Sequence, residues 1–93
     1  DGMFVIVIVV DSATGRVKQS PDIISRGFVY LRESKELLRK TRQRVIKLVE
    51  KITSSQHPAN MAFVKKRIRE DLGEFLFKET NRRPMVLPVV IEV

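Results

Sequence analysis

The feature that most constrains this chain is an eight-residue apolar run near its start, Met3-Phe4-Val5-Ile6-Val7-Ile8-Val9-Val10. A strand points alternate side chains to opposite faces, so a strand with one face in water alternates apolar and polar residues. Here Met3, Val5, Val7 and Val9 fill one face, and Phe4, Ile6, Ile8 and Val10 fill the other. The far end repeats the pattern with Met85-Val86-Leu87-Pro88-Val89-Val90-Ile91. The chain between them has only enough helix to cover one sheet face. The other face is therefore expected to meet something outside these residues, either a second copy or a larger protein of which this is a piece. That expectation points to an assembly part before an enzyme.

At 93 residues the chain makes one small domain, 1–93. A domain of this size buries only roughly 60–65% of its unfolded surface. There is no cysteine, hence no disulfide and no thiolate metal site. This fits a reducing compartment, and the location expected is cytoplasmic. The longest apolar run falls far short of the ~20 residues of a membrane-spanning helix, so no membrane is expected as a partner. Nor does a basic segment precede it, as a signal peptide requires. Asp1-Gly2 before the first strand reads as an abrupt start, the boundary of a piece of a longer chain. The net charge of +7 permits contact with RNA or another polyanion without requiring it.

After the first strand, Asp11 to Gly15 is a turn cluster. Arg16 to Gln19 alternates polar and apolar residues and is expected to be the hairpin partner, with Ile23-Ile24 resuming the pairing. Pro21 belongs at an edge or a bulge. A helix is expected from about Glu33 to Ile52, with Ser34 as its N-cap. Its apolar stripe is Leu38, Val45, Val49 and Ile52, with Leu48 beside them. Lys40, Arg44, Lys47 and Lys51 form a ridge opposite. A loop follows, containing His57 and Pro58. A second helix is expected from about Asn60 to Thr80, with the stripe Met61, Val64, Ile68, Leu72 and Phe75. Phe77 points away from that stripe, and Phe63 lies off its flank. Asn81-Arg82-Arg83-Pro84 ends the helix, since Pro84 disfavours helical dihedrals at Arg83, and Pro88 argues for an edge position or a bulge in the last strand. The order β-β-α-α-β predicts an α+β two-layer sandwich, a small, mainly antiparallel three-stranded sheet with two helices on one face.

Little here could carry catalysis. One histidine and no cysteine make a poor metal set. Asp11 and Asp22 read as turn carboxylates. Glu70-Asp71 reads as solvated helix surface, and Ser25 has no partner identifiable in sequence. No Walker A, GxGxxG or HExxH pattern occurs. RNA contact is the better chemical reading, with Arg26, the ridge Lys40, Arg44, Lys47 and Lys51, and Arg82-Arg83 as candidates. Residues 31–53 carry eight basic and three acidic side chains, so local pairing leaves an excess. The competing reading is a solvated ridge, or one docked to an acidic neighbour. Sequence-specific readout is not expected, because the strands are aliphatic where single-strand readers present aromatics.

Two segments carry a family resemblance. Ser20-Pro21-Asp22-Ile23-Ile24-Ser25-Arg26-Gly27-Phe28-Val29-Tyr30 resembles the segment after the first strand of the C-terminal domain of bacterial ribonuclease J. Asn81-Arg82-Arg83-Pro84 with Met85 to Val93 resembles that family's terminal motif. The hairpin, the charged first helix and Leu72 to Thr80 also fit, so the resemblance covers essentially the whole chain. It implies a parent enzyme of the metallo-β-lactamase/β-CASP class, with 5′-to-3′ exonuclease and endonuclease activity on RNA. Zinc is implied in the catalytic domain of that parent. None of the zinc motifs occurs here, so no catalytic or metal residue carries over. The implied role is dimer or tetramer assembly, with this chain itself (as a homodimer) and the catalytic body as partners. The candidate interface residues are Phe4, Ile6, Ile8, Phe63, Phe77, Val89, Ile91 and Val93. A basic accessory domain that holds RNA near the nuclease is the alternative, and a free-standing enzyme ranks third.

Overall fold

The structure is a computed structural model that describes residues 2–28, 34–55 and 60–93. Its elements are β1 (Met3–Val10), β2 (Asp22–Arg26), α1 (Lys35–Ser55), α2 (Met61–Thr80) and β3 (Met85–Glu92). The order is the expected β-β-α-α-β, and both helices lie on one face of the sheet. His57, Pro58, Tyr30 and the expected helix start at Glu33 lie outside the described residues.

The sheet corrects the expected topology. Its strand order is β2-β1-β3. β1 pairs antiparallel with β2, Met3 opposite Arg26 and Val7 opposite Asp22. It pairs in parallel with β3, Met3 opposite Met85 and Val10 opposite Glu92. The sheet is therefore mixed, not mainly antiparallel. The cause is the parity of the connection. β2 ends beside the start of β1, and a hairpin of two helices carries the chain away and back again. β3 must then start where β1 starts, and Met85 donates its N–H to the Gly2 carbonyl at 2.8 Å.

The hairpin differs as well. Arg16 to Gln19 contributes only one bridge, Val17 opposite Val10, and the ladder proper is Asp22–Arg26. The turn between is tied from three sides. Asp11 Oδ1 accepts the N–H of Ala13 and Thr14. Gly15, at φ +76°, places its carbonyl against Thr53 Oγ1 of α1. Glu50 of α1 accepts the Val17 N–H at 3.0 Å. At the other end of the ladder, the backbones of Gly2 (φ +91°) and Gly27 (φ +73°) meet so closely that a Cβ on Gly2 would lie 2.6 Å from the Gly27 carbonyl carbon.

Both helices start on the expected caps. Ser34 Oγ accepts the Leu37 N–H at 3.0 Å. Asn60 Oδ1 accepts from Ala62 and Phe63. α2 ends on Asn81 in the left-handed region, whose N–H bonds the Phe77 carbonyl. The core is formed by Phe4, Ile6, Ile8 and Val10 of β1 against Val45, Val49, Val64, Ile68, Leu72 and Leu76 of the helices. On α2 the buried residues are Val64, Ile68, Leu72 and Leu76, a row at four-residue spacing that slants across the helix. Phe75, expected in that stripe, is only half-buried, because the slant carries burial to Leu76 instead.

Candidate assembly face and cationic surface

Parity decides which side chains of the sheet remain open. In β1 the even residues Phe4, Ile6 and Ile8 are fully buried under the helices, and the odd ones point the other way. The register aligns these odd residues with Met85, Leu87, Val89 and Ile91 of β3 and with Ile24 of β2. The result is one continuous apolar surface. Its rows read Ile24-Val5-Leu87 and Val7-Val89, then Val9-Ile91, with Met3-Met85 at one end and Val93 beyond the other. Val89 is 41% exposed, Ile91 44% and Val93 57%. Charge borders it on the β2 side, through Asp22 and Arg26. Two eight-residue strands and one of five, ~4.8 Å apart with ~3.3 Å per residue, give a face on the order of 350 Å².

Of the candidate interface residues, Val89, Ile91 and Val93 lie on this face. Phe4, Ile6 and Ile8 do not, since they are sealed in the core. Phe63 and Phe77 are exposed on the outer side of α2, in the opposite layer. The candidate set omits Met3, Val5, Val7, Val9, Ile24, Met85 and Leu87, which also lie on this face. Residue size was the available signal, for the bulkier set of β1, Phe4-Ile6-Ile8, takes the packed side and leaves valines on the open one.

The free edge of β3 is less available than its face. Met85 and Val93 both direct their N–H groups to β1, to Gly2 and Val10. Alternation then turns Val86, Pro88, Val90 and Glu92 outward. Pro88 occupies a position whose N–H would face away from the sheet, so β1 loses no bond and an added strand would find a donor missing.

The cationic candidates do not converge. Arg26 sits on the β2 border and donates to the Ser25 carbonyl. Two members of the α1 ridge are engaged with α2. Lys40 pairs with Glu79 at 3.4 Å, and Arg44 pairs with Asp71 at 2.6 Å while its guanidinium lies 4.9 Å over Phe75. These contacts fasten the two helices antiparallel. Lys47 and Lys51 are exposed farther along the same helix. Arg82 and Arg83 lie in the α2–β3 turn, with Arg83 4.6 Å over Phe77. The Glu36 carboxyl is held below its ordinary value, chiefly by its hydrogen bond from Arg39. Among the described residues there is no cluster of three histidine, cysteine or acidic side chains fit to hold a metal ion. The described residues thus offer no ligand set for the zinc implied in the parent's catalytic domain. No described helix is long and apolar enough to cross a membrane.

The family described as Ribonuclease J C-terminal domain matches residues 1–93. This chain belongs to that family. It is 39% identical over 93 residues to Ribonuclease J 2 of Staphylococcus epidermidis (strain ATCC 35984), covering 100% of this chain and 16% of that protein. To Ribonuclease J 2 of Staphylococcus aureus (strain NCTC 8325) it is 38% identical over 93 residues, with the same coverage. The chain thus spans 16% of the length of these relatives. The ribonuclease J resemblance read from Ser20–Tyr30 and Asn81–Val93 is borne out over the whole chain.

Proposed function

We propose that this chain is the assembly domain of a larger ribonuclease, docking through the open sheet face to a second copy and to the catalytic body. The parent is read as a zinc-dependent 5′-to-3′ exo- and endoribonuclease that acts in the cytoplasm, its zinc held outside these 93 residues. The observation that carries the assembly role is the continuous apolar face of β1 and β3. The largest apolar patch on a soluble protein is typically ~300–600 Å² and is often a functional contact surface, and this face falls in that range. Its size bears on the partner. A stable interface takes roughly 800 Å² from each partner, about twice what the sheet alone presents. Sheet-to-sheet pairing of isolated domains is then weak, and the parent adds surface from its catalytic body.

The test is solution mass by light scattering over a wide concentration range, on the parent ribonuclease and on its Val89→Asp and Val7→Asp variants. The expected result is native-like folding with loss of assembly in both variants. Variants that assemble as before would sink the proposal. If every such change unfolds the protein, no free face exists, and the reading fails as well.

A further inference from the structure

The outer surface of the α1–α2 hairpin is divided electrostatically. In the half nearest the strand connections, all four acidic residues are paired, as Arg39–Glu36, Lys40–Glu79, Arg44–Asp71 and Lys78–Glu74. The half nearest the interhelical loop, residues 45–55 and 60–70, carries six cations, Lys47, Lys51, Lys65, Lys66, Arg67 and Arg69, against Glu50 and Glu70. Glu50 is turned to Arg16 and Val17. Among the described residues, no ion pair engages Lys47, Lys66 or Arg67.

Helix geometry gathers these charges. Lys40–Glu79 and Arg44–Asp71 fix an antiparallel register, which continues to bring Lys47 beside Arg67, one turn before Asp71. Phe63 stands three and four residues before Lys66 and Arg67, on the same side of α2. It is 43% exposed. The rings of Phe75 and Phe77 lie under arginines, and Phe4 and Phe28 are in the core. Phe63 is thus the one exposed phenylalanine among the described residues whose ring no arginine or lysine covers. An open ring rimmed by cations is the chemistry that holds a single strand, with bases stacked on the ring and phosphates on the charges. A lipid surface would instead require a broad apolar helix face, and here that face is spent on the core.

We propose that Lys47, Phe63, Lys66 and Arg67 form a contact site for single-stranded RNA at the loop end of the helix hairpin, with Lys51 on its flank. The site lies in the helix layer, on the far side of the domain from the assembly face, so both can be occupied at once. It stands whether or not the assembly reading holds.

The test uses the 93-residue chain and a fluorescein-labelled oligo(U), followed by anisotropy from low to physiological salt. Binding is expected to weaken steeply with salt. Lys47→Glu with Arg67→Glu should flatten the log–log slope by roughly 1.4, about 0.7 for each phosphate left without its cation. Phe63→Ala should weaken binding about tenfold with the slope unchanged. Lys35→Glu with Lys78→Glu, at the other end of the hairpin, should change affinity by less than about threefold at physiological salt, where screening acts over ~8 Å. Thermal unfolding of each variant checks that the fold is intact. The proposal is overturned by absent binding at low salt, by an equal loss in the Lys35/Lys78 control, or by an indifferent Phe63→Ala.

Discussion

The two faces of β1 are almost equally apolar, yet they end in opposite environments. Phe4, Ile6 and Ile8 are sealed beneath two helices, while Met3, Val5, Val7 and Val9 turn to the opposite face, on which neither helix packs, and stay half-buried or exposed. Hydrophobic patterning alone therefore reports that a surface is to be covered and leaves open who covers it. In this domain the helices satisfy one face, and the second stays open.

The largest expected effect sharpens that contrast directly. Ile6→Ala should cost about 2–5 kcal/mol of stability by leaving a core cavity. Its neighbour Val7→Ala should cost under about 1 kcal/mol, since it opens no enclosed space. Urea unfolding of the two variants measures the gap, and equal losses would erase the distinction between the faces. Next comes Gly2→Ala. The close backbone contact with Gly27 and the positive φ leave no room for a Cβ, and such strain costs of order 1–3 kcal/mol. It should loosen the end of the β1–β2 ladder and disturb both faces together, read as faster amide exchange at Ser25 and Arg26. Thr53→Val should cost about 1 kcal/mol in thermal unfolding, by losing the hydroxyl that ties α1 to the Gly15 carbonyl. It acts on the covered side alone.

The smallest effect is electrostatic. Glu36 is fully exposed, and Arg39 lowers its pKa from an ordinary 4.5. A lowered folded-state value means that its contribution is full above that ordinary value and disappears as pH falls through the lowered one. Glu36→Gln should therefore lower stability slightly at neutral pH, leave it unchanged in strong acid, and so flatten the acid limb. An equal loss at pH 7 and in strong acid would contradict that origin.

Much of the fold was legible because local rules sufficed. Ser34 and Asn60 cap their helices as their side-chain chemistry suggests, and Asp11 to Gly15 turns as such clusters do. The direction of β3 was not legible from its own residues. Period-two patterning is the same in parallel and antiparallel strands, and only the parity of the helical connection distinguishes them. The site was half legible for a related reason. That a face would be free followed from strands apolar on both sides, but which face depended on the phase of Phe4 against the helices. The ridge of α1 was visible as charge, whereas the acids that engage Lys40 and Arg44 lie on another helix, 39 and 27 residues away.

If the domain assembles as proposed, Pro88 limits how far that assembly can go. Strand edges are open ends, and each copy added there presents the next edge, so growth has no natural stop. β2 is short and bears Asp22 and Arg26, and β3 carries a residue unable to donate where the next strand would bind. A flat face has no such continuation, because once two faces meet both are consumed. By closing the edges and leaving the face, this small sheet favours complexes of fixed size over fibres.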